Sequence, residues 1–131
     1  MKNSYALITG ATSGIGLEIS KDLAKRGFNL VLVARTKEKL NQTAKELIQE
    51  YNIKCDYFAS DLTLINSPEE IYQFTSKKLY SVDILVNNAG YALPNAFHIN
   101  SMEDEEKCIR LLGTSVIALT KKYINDMISN G

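Results

Sequence analysis

The chain has no tryptophan, one histidine, two cysteines and two prolines among its 131 residues. A single histidine, His98, excludes a histidine-rich metal site built from this chain alone. Cys55 and Cys108 lie far apart, in no metal-ligand spacing. Both are therefore predicted to be reduced, small apolar residues of a cytoplasmic protein, with no metal bound. Charge of one sign is also lacking: 15 Lys and Arg balance 15 Asp and Glu. That balance predicts neither nucleic acid nor a membrane surface as a partner. No apolar run approaches the roughly 20 residues that cross a bilayer. Met1 to Ser4 leads straight into a strand-like run, with no signal-peptide core or cleavage site. With no repeat, linker or low-complexity tract, residues 1–131 are expected to form one domain, and an apolar fraction of 45% suffices for a core.

Short apolar runs alternate with longer helical stretches. Tyr5 to Ile8, Leu30 to Val33, Cys55 to Ala59 and Val82 to Val86 are predicted strands, each too short for a buried helix. The first helix is expected to present Ile15, Ile19 and Leu23 and to stop at Gly27. Leu40, Ala44, Leu47, Ile48 and Tyr51 mark the second. Ser67-Pro68-Glu69-Glu70 reads as a third helix start, with a serine cap and a capping-box glutamate, and Ile71, Phe74 and Leu79 are its expected inner face. A loop from Tyr91 to Asn100, containing Pro94, precedes a last helical region. That region starts at Ser101 with acids in its first turn, and its stripe is Ile109, Leu112, Val116, Leu119 and Tyr123. The alternation predicts an α/β fold: a three-layer, doubly wound parallel sheet. In such folds ligands sit at the carboxyl ends of the strands.

Gly10, Gly14 and Gly16 fall between the first strand and the first helix. There, unpaired amides and the helix dipole favour an anion, and a side chain would hold a diphosphate away. Thr12 and Ser13 add hydroxyl donors. The spacing is Gly-x-x-x-Gly-x-Gly, not the commoner Gly-x-Gly-x-x-Gly. Arg35 stands just past the second strand, where an acid would hold the ribose 2′-hydroxyl of NAD and where arginine suits the 2′-phosphate of NADP. NADP is therefore expected over NAD, although Lys37 and Lys39 also fit a solvated basic helix start. Asn87-Asn88-Ala89-Gly90 follows the fourth strand and would line the same cleft.

Thr9-Gly10-Ala11-Thr12-Ser13-Gly14-Ile15-Gly16 together with Asn87-Asn88-Ala89-Gly90 resembles the short-chain dehydrogenase/reductase family, and Asp61-Leu62 after the third strand also fits. The resemblance runs from Ser4 onward and implies a Rossmann-type sheet binding NADP or NAD. It implies that Gly10, Ser13, Ile15 and Gly16 contact the phosphates and ribose, and that Arg35 meets the 2′-phosphate. Asp61 and Leu62 would border the adenine, with the carboxylate accepting from the exocyclic amine. Asn88, Ala89 and Gly90 would flank the adenosine ribose, while Asn87 ties the sheet together.

The family's catalytic half has no counterpart here. Its proton donor is a tyrosine with a lysine four residues on, and none of the seven tyrosines has one. The strand that would carry its serine falls past Gly131. The asparagine that holds a relay water in the family corresponds to Leu112, and no asparagine lies between Ser101 and Tyr123. The expectation is a truncated dinucleotide-binding domain with strand order 3-2-1-4, no catalytic residues and no activity alone. The alternatives are an oxidoreductase completed by a second chain, or a non-enzymatic module responsive to NADP. The resemblance implies further strands beyond the fourth, so its edge would be open. A homo-oligomer is expected, covering that edge or the stripe of Leu112, Val116 and Leu119.

Overall fold

Alternating side chains divide the strands between two cores, one on each face of the sheet. In the computed structural model, which describes residues 4–91, 93 and 95–131, four strands run parallel in the order β3-β2-β1-β4. They are β1 (Ser4–Thr9), β2 (Asn29–Ala34), β3 (Cys55–Ala59) and β4 (Ser81–Val86). On one face Tyr5, Leu7, Val31, Val33 and Val82 pack with Ile71, Leu111, Leu119 and Tyr123. On the other, Ala6, Ile8, Leu30 and Leu32 pack with Ala24, Leu40, Ala44 and Leu47. This period of two on strands covered on both sides is what a central parallel sheet requires. The expected strands and strand order are therefore present.

Helices α1 (Gly14–Lys25) and α2 (Lys37–Tyr51) contribute to the second core. α3 (Ser67–Lys77) and α5 (Ser115–Ser129) contribute to the first. α4 (Met102–Ile109) buries no residue and joins α5 through a π-helical turn, Arg110–Thr114. Pro94, in the expected loop, lies outside the described residues.

Three faces differ from expectation. α1 buries Gly16, Ser20 and Ala24; of the expected face, Leu23 packs partly buried against the second core, while Ile15 lies outside it. Small side chains let the helix lie close on the sheet, and Ile15 remains 73% exposed. Ser20 suits that face because its hydroxyl donates to the Gly16 carbonyl at 2.8 Å and so is satisfied without water. On α3 the cap is Asn66, not Ser67, and it makes no side-chain cap bond, so there is no capping box. Ser67 instead donates its hydroxyl to the Asp61 carbonyl. Ile71 is buried as expected, but Leu79 lies past the helix end at φ 58°, 77% exposed. The π turn rotates the last stripe: Leu111, Ser115, Leu119 and Tyr123 point inward, while Leu112 is 53% exposed and Ile109 also faces solvent. Leu119 is fully buried, so it is unavailable to the interface expected of it.

Both cysteines are free thiols. Burial, reinforced by Asp56, pushes the Cys55 thiol up to about 12, so it stays protonated and unreactive near neutrality. Among the described residues no cluster of His, Cys, Asp and Glu could hold a metal. No described helix is long and apolar enough to cross a membrane.

Candidate dinucleotide cleft

The carboxyl ends of β1, β2 and β3 and the segment after β4 meet around a cleft of about 220 Å³. Its floor depends on Thr9, buried at the end of β1. The Thr9 hydroxyl accepts from the backbone N–H of Asn88 at 3.0 Å and of Ala89 at 2.9 Å, and donates more weakly to the Val86 carbonyl. The Asn88 side chain donates to the carbonyls of Thr9 and Gly10, both at 3.2 Å. Ala11 N–H donates to the Val33 carbonyl. The glycine loop is thus tied to β4 on one side and to β2 on the other.

That tying explains two of the glycines. Gly10 sits at φ 63°, a left-handed conformation that costs any other residue, and a Cβ there would stand 2.9 Å from Asn88 Nδ2. A Cβ on Gly16 would collide with the Gly10 carbonyl oxygen and Asn88 Nδ2. At these two positions the loop leaves no room for a side chain.

The N-terminus of α1 is left open. Ser13 is extended (φ −156°, ψ 163°) and makes no side-chain cap bond, and the first turn contains no acid. The first helical amide with a backbone partner is Leu17, which donates to the Ser13 carbonyl. Beside this end, Arg35, Thr36 and Lys39 line the cleft. None of the ion pairs among the described residues engages Arg35 or Lys39. Lys37 does not line the cleft, so the helix start splits into one cleft-facing lysine and one solvated lysine.

Asp61 faces them from the end of β3. Its Oδ1 accepts from Thr63 N–H at 2.9 Å and from the Thr63 hydroxyl at 2.7 Å. Partial burial pushes its pKa up. The Thr63 bonds and the Arg35 and Lys107 charges outweigh that effect and hold it below the usual carboxylate value. An ionised Asp61 with one oxygen committed keeps the other as an acceptor.

The cleft thus gathers Gly10, Thr12, Ser13, Arg35, Asp61, Leu62, Ala89 and Gly90 from the residues singled out in the sequence. Gly14 and Ile15 instead border an apolar surface on α1 with Ile19 and Leu23. Gly16 is buried beneath the loop. Asn88 is half-buried and holds the loop from behind, while the exposed Asn87 donates to the Thr120 hydroxyl on α5. The tie across β1 and β4 therefore comes from Asn88 and Thr9, where the family resemblance had implied Asn87. Thr36, Lys39, Ser60 and Leu111 are lining residues with no motif to announce them. Of these, Lys39 reads from the sequence only as part of a solvated basic helix start.

A tightly held glycine loop, an open helix start and an unpaired guanidinium fit a phosphorylated nucleotide. The volume lies below the roughly 300–1,000 Å³ usual for drug-sized ligands, so it suits one end of a dinucleotide.

Residues 4–131 match the family model for short chain dehydrogenases. The chain is 35% identical over 130 residues to a fatty acyl-CoA reductase of Acinetobacter baylyi, covering 98% of this chain and 44% of that protein. It superposes on the L-sorbose reductase of Gluconobacter frateurii, solved with NADPH and L-sorbose, with a TM-score of 0.91 at 28% identity, covering 100% of this chain and 51% of that one. A short-chain dehydrogenase of Sphingobium yanoikuyae in complex with NADPH gives 0.89 at 31%, covering 97% and 49%. The chain spans about half the length of these solved relatives, and less of the curated one.

Proposed function

The chain belongs to the short-chain dehydrogenase family, and from that premise we propose that it binds the adenosine and diphosphate end of NADP, with NAD the weaker ligand, and carries out no hydride transfer unaided. The observation that carries this reading is the open start of α1 set beside the unpaired Arg35 in one cleft. NADP, when bound, supplies hydride chemistry at its nicotinamide; the residues of this chain serve its other end. The α1 amides and the Thr12 and Ser13 hydroxyls are available to the diphosphate. Arg35 and Lys39 are available to the 2′-phosphate, and the uncommitted Asp61 oxygen to the adenine amine. Ala89 and Gly90 border the ribose. Reducing a carbonyl also needs a proton donor beside the nicotinamide. No tyrosine of the chain has a lysine four residues on, and Leu112 can neither donate nor accept a hydrogen bond.

Calorimetric titration with NADPH and NADH tests the reading. Arg35→Ala removes charge-assisted bonds to phosphate and is expected to weaken NADPH by about tenfold or more while changing NADH little. Equal losses for the two would end the preference for NADP. An unmodified protein that takes up neither would end the reading.

The sheet supports a second reading, an oxidoreductase completed by another polypeptide. Among the described residues the outer edge of β4 has no strand beside it, and Ile15 on α1 is exposed. Such edges and surfaces favour association. Self-association belongs to the same proposal, over the β4 edge or the exposed Ile117, Ile124 and Ile128 of α5. NADPH oxidation by a mixture of two polypeptides, absent from either alone, would support completion. Light scattering that finds only monomer at high concentration would remove self-association.

A further inference from the structure

Ser60 closes β3 and lines the nucleotide cleft, yet its side chain makes no bond. Its Oγ is sealed from solvent and is the one buried side-chain polar atom without a partner among the described residues. Native proteins rarely leave such a group unsatisfied, because the desolvation it suffers is not offset. The hydroxyls that follow it in the chain are engaged: Thr63 donates to Asp61 and Ser67 to the Asp61 carbonyl. Alanine would fill the same position without that cost, so the hydroxyl calls for a reason.

We propose that Ser60 is a specificity residue for the 2′-phosphate of the nucleotide, its hydroxyl turning into the cleft to donate to a phosphate oxygen. Its backbone carries the argument. Ser60 N–H donates to the Ala34 carbonyl at 2.8 Å, so Ser60 stands directly beside the strand end that delivers Arg35. On its other side is Asp61, an ionised acceptor that suits an amine and repels phosphate. Ser60 therefore lies at the boundary between the acid that suits the base and the cations Arg35 and Lys39 that suit the phosphate. A serine needs only one side-chain rotation to move between an inward and a cleft-facing position. The bond it gains there is to a charged acceptor, the stronger class of hydrogen bond.

The proposal rests on nucleotide binding at this cleft, and its test separates the two. Wild type, Ser60→Ala and Arg35→Ala are titrated with NADPH, NADH and adenosine 2′,5′-bisphosphate, and the unfolding midpoint of each free protein is measured. Ser60→Ala is expected to raise the Kd for NADPH and for the bisphosphate by about five- to tenfold, as for one lost hydrogen bond to a charged group. NADH affinity is expected to stay within about twofold, because NADH has no 2′-phosphate to accept the lost hydrogen bond. The midpoint is expected to hold or rise, since an unsatisfied group has been removed. A higher midpoint with NADPH affinity unchanged would overturn the proposal and make Ser60 purely structural, as would equal losses for NADPH and NADH. If Arg35→Ala loses NADPH and Ser60→Ala does not, this inference fails and nucleotide binding stands. If the wild type takes up none of the three ligands, both fail.

Discussion

Ser13 and Ser101 each stand in extended backbone just before a helix, but they leave those helices in opposite states. The Ser101 hydroxyl accepts from Asp104 N–H at 3.0 Å, and Glu103, Asp104 and Glu105 fill the first turn of α4. Its orphan amides and its dipole are answered from within the chain. Ser13 makes no such bond, α1 has no acid in its first turn, and Gly14 follows directly. α4 is self-sufficient and buries nothing; α1 is buried on the sheet and chemically unfinished at its start. A helix start left unfinished on a well-packed element points to a ligand, whereas one finished locally points only to stability.

Substitutions can break this contrast from either side. The largest effect is expected from Gly16→Ala, whose Cβ meets the Gly10 carbonyl and Asn88. Overpacking of this kind costs about 1–3 kcal/mol, so urea unfolding should show that loss, and calorimetry should find NADPH binding gone as the loop is displaced. Next, Ser13→Asp would give α1 the finish that α4 has. Its carboxylate would cap the first turn, raising stability by a few tenths to about 1 kcal/mol, and would repel a diphosphate, weakening NADPH by about tenfold, the equivalent of one charge-assisted contact. A protein both more stable and equally able to bind would dissolve the contrast. The smallest effect is expected from Ser101→Ala, about 1 kcal/mol of stability lost with the removal of a cap, and NADPH affinity untouched. A change in affinity there would mean that α4 is not independent of the cleft.

The strands and their order are legible in the sequence because short apolar runs bounded by turns have few other uses. Helix faces are less legible. On α1 the large apolar residues Ile15, Ile19 and Leu23 read as the core-facing stripe, yet close approach of helix to sheet buries Gly16, Ser20 and Ala24 and leaves Leu23 only partly packed. Periodicity finds the helix but not which of two adjacent stripes, small or large, lies nearer the strands. In the last helical region a strict period of 3.6 places Leu112 and Val116 inside, and the extra residue of the π turn substitutes Leu111 and Ser115. The cleft is legible where a motif implies a backbone need, as at Gly10 and Gly16, or a charge, as at Arg35. It is illegible where an ordinary residue acts through its place on a strand end. Thr9 belongs to that second group: it opens the glycine motif, but nothing in that motif announces the bonds its hydroxyl accepts from Asn88 and Ala89.

The wide turn at Arg110–Thr114 also bears on how the gene can change. A π turn is an α-helix carrying one surplus residue. Loss of a single codon within 110–114 would let the backbone relax to regular winding, with Ser101 still heading its helix and Leu119 still beneath the sheet. The same deletion in the middle of α5 would swing every later side chain by about 100°, one residue's turn of an α-helix. Inheritable length variation in this region is therefore expected to collect at the surplus residue, where the two leucines compete for one place against the cleft.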